Sequence, residues 1–115
     1  MNIKKLVRDA DAETIAVHIG MEIKIRGRDE SRRVSILCPG HEARLNKPDT
    51  HYGNAILLRD GYECYACGVR VKTRDMVMEY LGCSASEAYI IMAEAMGGVD
   101  LFGDSTDEMQ QEIIP

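Results

Sequence analysis

Four side chains with soft or borderline metal-binding atoms fall into two short pairs. Cys38 and His41 are separated by two residues, and Cys64 and Cys67 repeat that spacing after residues 42–63. A two-residue spacer allows a tight turn to direct both members of a pair at one ion. Three thiolates and one imidazole complete the tetrahedral shell of a structural zinc ion. The sequence therefore predicts one structural Zn²⁺ held by these four residues.

Other interpretations of these residues stay open on the sequence alone. Cys64 and Cys67 could form a disulfide, although a disulfide would not explain the matching Cys38–His41 pair. His51 is the one plausible substitute for His41, but it has no partner at the same spacing. Cys83 lies outside the ligand spacing, and we expect it to be a small buried hydrophobic residue.

Length and composition indicate one small domain whose stability depends on a metal ion. The 115 residues include no Trp and 5% aromatic residues, so the core must come from Ile, Leu, Val, Ala and seven Met. No apolar stretch follows the first five residues, and none is long enough to span a membrane. We therefore expect a reducing, cytoplasmic location without a membrane partner, where paired cysteines usually hold metal.

Charge is distributed unevenly along the chain. Residues 1–75 carry all fourteen Lys and Arg and eleven Asp and Glu, a net charge of +3. Residues 76–115 carry no base and eight acids, a net charge of −8. Such segregation is typical of a nucleic-acid-binding face with an acidic tail. We expect a domain over residues 1–98 and a disordered acidic tail over residues 99–115.

The hydrophobic pattern predicts an α+β fold, in which a small antiparallel sheet is flanked by an N-terminal helix and a C-terminal helical pair. Residues 1–10 suggest a basic lead-in, and residues 11–19 a helix. Strands are predicted over residues 21–26 (half-buried), 32–38, 54–59, 62–64 and 69–71. The segment 39–53 is predicted to be a loop, and Asp60–Gly61 a hairpin turn.

The C-terminal helical pair is predicted from a change of period after Thr73. Apolar residues at 76, 77, 80 and 81 form a stripe that ends near Gly82. Ser84 and Glu87 have the spacing of a capping box, which begins a second helix to about Met96. Its inward residues are predicted to be 88, 91, 92 and 95.

The two metal-binding pairs and the segments around them resemble the N-terminal zinc ribbon of bacterial DNA primases. The similarity rests on LCPGHE at residues 37–42 and YECYACG at residues 62–68. It continues through residues 75–80 and 86–88, and covers about residues 11–97. It implies a zinc ribbon with the ion at one edge of the sheet, which contacts single-stranded template DNA during replication.

The chain departs from the primase pattern in ways that bear on function. Gly40 stands where the family has an aromatic residue, and the stretch between His41 and Cys64 is several residues longer than usual. The catalytic domain of primases does not fit after residue 97. We therefore expect a stand-alone domain without catalytic activity, serving replication of a phage or mobile element together with a primase catalytic subunit or a helicase.

Basic and aromatic residues beside the ribbon are candidates for contact with nucleic acid. Those expected to contact phosphates are Arg44, Lys47, Arg59, Arg70, Lys72 and Arg74. Tyr52, Tyr62 and Tyr65 are expected to stack on bases, and Arg32 and Tyr62 would form a basic–aromatic platform if they share a sheet face. The alternative function is a protein-interaction or regulatory adaptor that uses the helical pair or the acidic tail, which could also mimic nucleic acid.

Overall fold

The computed structural model describes residues 2–97, so the predicted tail at 99–115 lies outside the described part of the chain. Five antiparallel strands form one sheet whose spatial order follows the chain. The strands are β1 (Lys24–Arg26), β2 (Arg33–Ile36), β3 (Ala55–Leu58), β4 (Gly61–Cys64) and β5 (Val69–Lys72). The α+β class and the antiparallel sheet predicted from the sequence are confirmed.

Helices precede, interrupt and follow the sheet. They are α1 (Ile3–Asp9), α2 (Ala12–His18), α3 (His41–Leu45), α4 (Thr73–Leu81) and α5 (Ala85–Ala95). The Ser84 side chain accepts the Glu87 amide, and Glu87 accepts the Ser84 amide, so the predicted capping box forms at the start of α5. Gly82 ends α4 in the left-handed conformation expected of a helix C-terminus.

The prediction of a basic lead-in over residues 1–10 was wrong, because this segment forms α1. Asn2 caps the helix by accepting the Lys5 amide through its side-chain oxygen. Leu6 is fully buried, and Ala10 is also part of the core. The apolar residues of this segment have helical spacing, but the interspersed Lys and Arg conceal it when composition alone is considered.

The hydrophobic core lies on one face of the sheet. Paired residues share a face, so the register places Ile36, Ala55 and Cys64 on one side. Leu57 and Tyr62 extend the same side. These residues join the apolar faces of α1, α2, α4 and α5 in one buried cluster. Helices α2 and α4 therefore cover this core face of the sheet.

The opposite side of the sheet, named here the open face, carries mostly charged residues. The register aligns Lys24, Ser35, Ile56, Glu63 and Arg70 across all five strands. Residues two positions away along each strand lie on the same side. They add Arg26, Arg33, Leu58, Gly61 and Lys72 to the open face.

Three local predictions were wrong for reasons of position in the fold. Strand β1 is not half-buried, because it is an edge strand, and Ile25 is half exposed. Tyr80 and Leu81 are exposed at the end of α4, beyond the part that contacts the sheet. The predicted loop at residues 39–53 contains α3, whose first residue is His41.

Candidate metal centre and nucleic-acid interface

The four predicted ligands come from two neighbouring points at one end of the sheet. Cys38 follows β2, and His41 is the first residue of α3. Cys64 ends β4, and Cys67 lies in the turn that leads into β5. The Gly68 amide donates to the Cys64 carbonyl at 2.9 Å, and the Cys67 amide donates to the Cys64 sulfur at 3.4 Å. Strands β2 and β4 flank β3 and run in the same direction, so their C-terminal ends lie at one end of the sheet and bring the two knuckles together.

The four ligand atoms lie close enough together to hold one metal ion. They lie within 4.8 Å of one another. The Cys38 and Cys67 sulfurs are 3.8 Å apart, and the His41 Nδ1 atom lies 3.8 Å from the Cys64 sulfur and 3.5 Å from the Cys67 sulfur. Ligands bound at zinc–sulfur and zinc–nitrogen lengths would be separated by about 3.6–3.8 Å. The residues present therefore fit one metal ion bound through four protein ligands.

The alternatives for these residues are resolved within the described chain. All four cysteines are free, so Cys64 and Cys67 form no disulfide. The Nδ1 atom of His51 is 3.1 Å from the Thr50 hydroxyl, and His51 does not belong to the ligand cluster. Cys83 is partly buried at the α4–α5 junction, apart from the cluster.

The protein environment shifts the pKa values of Cys64 and Cys67 in opposite directions. Burial raises the pKa of Cys64 to about 12. Burial also opposes ionisation of Cys67, but a hydrogen bond from Arg44 and bonds with neighbouring thiols lower its pKa overall. Since a metal binds thiolates, protons must leave these groups when the ion binds.

A partly buried polar network connects the metal centre to α4. Arg44 donates through Nη2 to the Cys38 sulfur at 3.2 Å and to the Tyr62 hydroxyl at 2.7 Å. Its Nη1 donates to Glu79 Oε2 at 2.8 Å, and the Tyr62 hydroxyl donates to Glu79 Oε1. Burial alone would lower the pKa of Arg44, but these partners raise it overall. One guanidinium therefore joins a ligand sulfur, β4 and α4.

Gly40 lies against this network. A Cβ atom at position 40 would lie 2.6 Å from the Arg44 guanidinium nitrogens and 2.6 Å from Glu79 Oε2. Because these atoms are the ends of flexible side chains, a side chain at position 40 would displace the Arg44–Glu79 pair rather than be excluded by it.

Asp49 organises the long loop between the knuckles and was not found by sequence reasoning. Its carboxylate accepts the Cys38 amide at 2.8 Å, the His51 amide at 3.1 Å and the Asn54 side-chain amide at 2.9 Å. Although burial alone would raise the pKa of Asp49, these donors lower it overall. Its position two residues before His51 is a weak signal for an Asx turn. The bond to Cys38 has no local sequence signal.

Two of the residues predicted to contact nucleic acid, Tyr62 and Arg44, make their interactions within the protein instead. Tyr62 is fully buried on the core face, so its ring offers no surface for a base. Arg44 is committed to Cys38, Tyr62 and Glu79. The predicted Arg32–Tyr62 platform does not form, because Arg32 precedes β2 and pairs with Glu13 at 2.9 Å.

The other candidates remain at the surface but in different places. Arg70 and Lys72 lie on the open face, and both contact Asp60, at 3.5 and 2.8 Å. Tyr65 is 65% exposed. Lys47 is exposed after α3.

Three further candidates have defined partners. Arg59 donates to the Arg8 carbonyl at 2.9 Å. Arg74 pairs with Asp75 at 3.0 Å. The Tyr52 ring lies 4.4 Å below the Lys24 ammonium, and its hydroxyl donates to Glu22 at 3.0 Å.

A cleft of about 480 Å³ opens beside the open face where β2 and β3 separate. The ladder between these strands contains the pairs Ser35–Ile56 and Ile36–Ala55, and the pairing does not continue to Arg33 and Leu58. Tyr65 lines this cleft together with Arg33 and Ile56. An exposed aromatic ring and apolar side chains therefore meet at this cleft, with the cations Arg32, Arg33 and Arg59 and the acids Asp11 and Glu13 around them.

Comparison with protein-family models, curated proteins and solved structures found no match to the chain. Within residues 2–97, no helix is both long enough and apolar enough to cross a membrane.

Proposed function

We propose that the chain is a zinc-stabilised, primase-type ribbon domain that binds single-stranded DNA on the open face of its sheet. The observation that carries the proposal is the charge of this face. Five bases, Lys24, Arg26, Arg33, Arg70 and Lys72, share it with the acid Glu63. Asp60 in the adjoining turn contacts Arg70 and Lys72, and the bases still outnumber the acids. This arrangement suits a phosphate backbone, which attracts cations without regard to sequence.

The cleft beside the open face supports a role in binding bases as well as phosphates. Tyr65 presents an exposed ring next to Ile56 and Leu58, and Arg33 lies at the same place. Stacking on an aromatic ring is tolerant of base identity, which suits a domain that binds a template of variable sequence. The proposed role is binding, and a separate primase catalytic subunit or helicase would act on the bound strand.

Zinc is the proposed metal because of its ligand chemistry. Three thiolates and one imidazole at tetrahedral spacing are typical of structural zinc, and the four protein ligands leave no position for a substrate. The resemblance of residues 37–42 and 62–68 to the primase ribbon supports the same assignment.

The test is a titration of fluorescent single-stranded DNA with the metal-loaded protein over a series of salt concentrations. Arg33→Gln/Arg70→Gln removes two charges from the open face, while Lys4→Gln/Arg28→Gln makes the same charge change elsewhere. The first variant should reduce the slope of log affinity against log salt by about 1.4, since each phosphate contact contributes about 0.7. Tyr65→Ala should weaken binding about tenfold or more.

The control variant should retain the slope and affinity of the unmodified protein, apart from a small general effect of net charge. Equal loss in both double variants would show non-specific attraction and contradict a site on the open face. The absence of binding at low salt by a folded, metal-containing sample would refute the proposal.

A second candidate function is protein binding through exposed apolar residues of α1 and α5. Ile3, Val7 and Ile90 are each about half exposed. Exposed apolar side chains on packed helices favour a partner helix or strand. This adaptor role becomes the better explanation if strand binding fails, and cross-linking at these helices would then identify the contact surface.

A further inference from the structure

A second cleft, named here the lateral cleft, opens at the edge of the fold away from the metal centre. It has a volume of about 510 Å³ and lies between α1, the β3–β4 turn, the first turn of α4, and α5. The cations Arg59, Lys72 and Arg74 line it, although they are distant from one another in the sequence. Three of the basic residues predicted to contact phosphates therefore converge on one cavity.

One side of the lateral cleft is apolar. Val7 lines it from α1, and Met92 lines it from α5. Met92 is almost fully buried, whereas Val7 is 52% exposed, so the apolar surface extends from the core to the solvent. Such a surface accepts a flat, weakly polar group and excludes water from one side of it.

The cationic side is ordered by an aromatic residue. The Arg74 guanidinium lies 5.7 Å from the centre of the Tyr89 ring, and its Nη1 donates to the Tyr89 hydroxyl at 3.3 Å. Arg59 is held by its bond to the Arg8 carbonyl. Two of the three cations are therefore positioned before any ligand binds, which reduces the entropy cost of binding.

Two acids also line the cleft, and a ligand must compete with them for the cations. Asp60 contacts Lys72 at 2.8 Å, and Asp75 contacts Arg74 at 3.0 Å. These pairs are largely exposed to solvent, so each contributes little to stability. A ligand must carry more than one negative charge to compete with them, as a phosphate monoester does. The first turn of α4, which faces the cleft, adds a favourable dipole.

We propose that the lateral cleft binds a nucleoside 5′-phosphate, with the base against the exposed side chain of Val7 and the phosphate among Arg59, Lys72 and Arg74. The volume is in the range of ligand pockets, about 300–1,000 Å³. The nucleotide is either free or the 5′ end of a strand. Lys72 belongs to both the cleft and the open face, so a strand lying on the sheet has a direct path to it.

The test measures binding of a fluorescent adenosine 5′-monophosphate to the metal-loaded protein by anisotropy. Unlabelled adenosine 5′-monophosphate should displace it, and adenosine or inorganic phosphate should do so at least about tenfold less well, because each lacks one half of the contact. Equal competition by adenosine, or by inorganic phosphate, would overturn the inference, as would the absence of saturable binding.

Oligonucleotides with and without a 5′-phosphate distinguish the two sources of the nucleotide. Stronger displacement by the phosphorylated oligonucleotide than by the free monophosphate supports a strand end. Stronger displacement by the free monophosphate supports a free nucleotide as the ligand.

Matched variants locate the binding. Val7→Glu places a carboxylate on the exposed part of the apolar surface and should abolish binding, while Val17→Glu makes the same change at an exposed position of α2 outside the cleft. Arg74→Gln should weaken binding about tenfold, whereas Arg33→Gln on the open face should not weaken it. Binding that survives Val7→Glu and Arg74→Gln in folded protein would overturn the assignment.

The inference does not depend on strand binding by the open face, because a free nucleotide can fill the cleft. Loss of strand binding in the Arg33→Gln/Arg70→Gln variant tests the proposed function, and loss of nucleotide binding in the Val7→Glu variant tests the cleft. The two proposals therefore fail in different measurements.

Discussion

The Tyr62 hydroxyl shows how a single polar group can be retained in the core beside a metal centre. It accepts a hydrogen bond from Arg44 and donates one to Glu79, so both of its hydrogen-bonding roles are satisfied. Burial and the bond to Glu79 raise its pKa above the ordinary value of tyrosine, so the hydroxyl stays available as a hydrogen-bond donor. A buried polar group is tolerated when its partners are complete, and its removal leaves those partners incomplete.

Tyr62→Phe should destabilise the protein by about 1–3 kcal/mol, because Arg44 and Glu79 each lose a buried partner while the ring volume is kept. Chemical denaturation of the metal-loaded protein measures the change. Tyr65→Phe makes the same change at an exposed ring and should alter the free energy of unfolding by less than about 0.5 kcal/mol. An equal effect at both positions would show that the network contributes nothing to stability.

At the scale of the elements, the backbone of β4 lies unusually close to that of β5 at Gly61, the residue that follows the β3–β4 turn. Leu58 pairs with Gly61 across a turn at residues 59–60, one position earlier than the turn predicted at Asp60–Gly61. Gly61 has φ +152°, and a Cβ there would lie 1.8 Å from the Val71 carbonyl oxygen. The same β4–β5 ladder runs from Gly61 to Cys64, one of the four predicted metal ligands.

Gly61→Ala should therefore destabilise the fold by about 2–4 kcal/mol, since the backbone of β5 would have to move. The matched control is Gly53→Ala, which also has positive φ but meets no atom within 4 Å. The control should cost only the backbone strain, about 1 kcal/mol. Thermal unfolding of both variants gives the comparison, and equal losses would mean that the contact with Val71 relaxes without cost.

The sequence contains the elements and ligands that depend on local spacing. Cys38 and His41 could be identified because both ligands and their spacer lie within four residues. The Ser84 cap could be identified because its partner, Glu87, is only three residues away. The Arg44–Glu79 pair and the Asp49–Cys38 bond join distant parts of the chain, and no periodic pattern encodes them. Exposure of Ile25 likewise depends on which strand lies at the edge of the sheet.

At the scale of the whole molecule, the helices and the sheet share one hydrophobic core. Its largest fully buried side chains come from both the helices and the strands, and the metal centre joins the ends of β2 and β4 at one margin. A structural zinc site contributes on the order of 10 kcal/mol in small domains. The net stability of a domain is about 5–15 kcal/mol, so a zinc ion bound by these four residues would account for most of it.

Removal of the metal with excess chelator should abolish the cooperative thermal transition, as followed by circular dichroism. Cys64→Ser should have the same effect because it removes one ligand from the closed site. Cys83→Ser, which changes a partly buried cysteine outside the cluster, should retain a cooperative transition and metal binding. An unchanged melting curve in chelator would refute a structural role for the metal.

The order of strands in the sheet has a consequence for synthesis of the chain. Every strand pairs with its neighbours in sequence, so successive hairpins can form as the polypeptide leaves the ribosome. The ligand set becomes complete when Cys67 emerges, before β5, α4 and α5 have left the ribosome. Metal binding can therefore precede the packing of α4 and α5 against the sheet. A shortage of the ion during translation would leave the end of the sheet near Cys38 and Cys64 without its stabilising ion when these helices begin to pack.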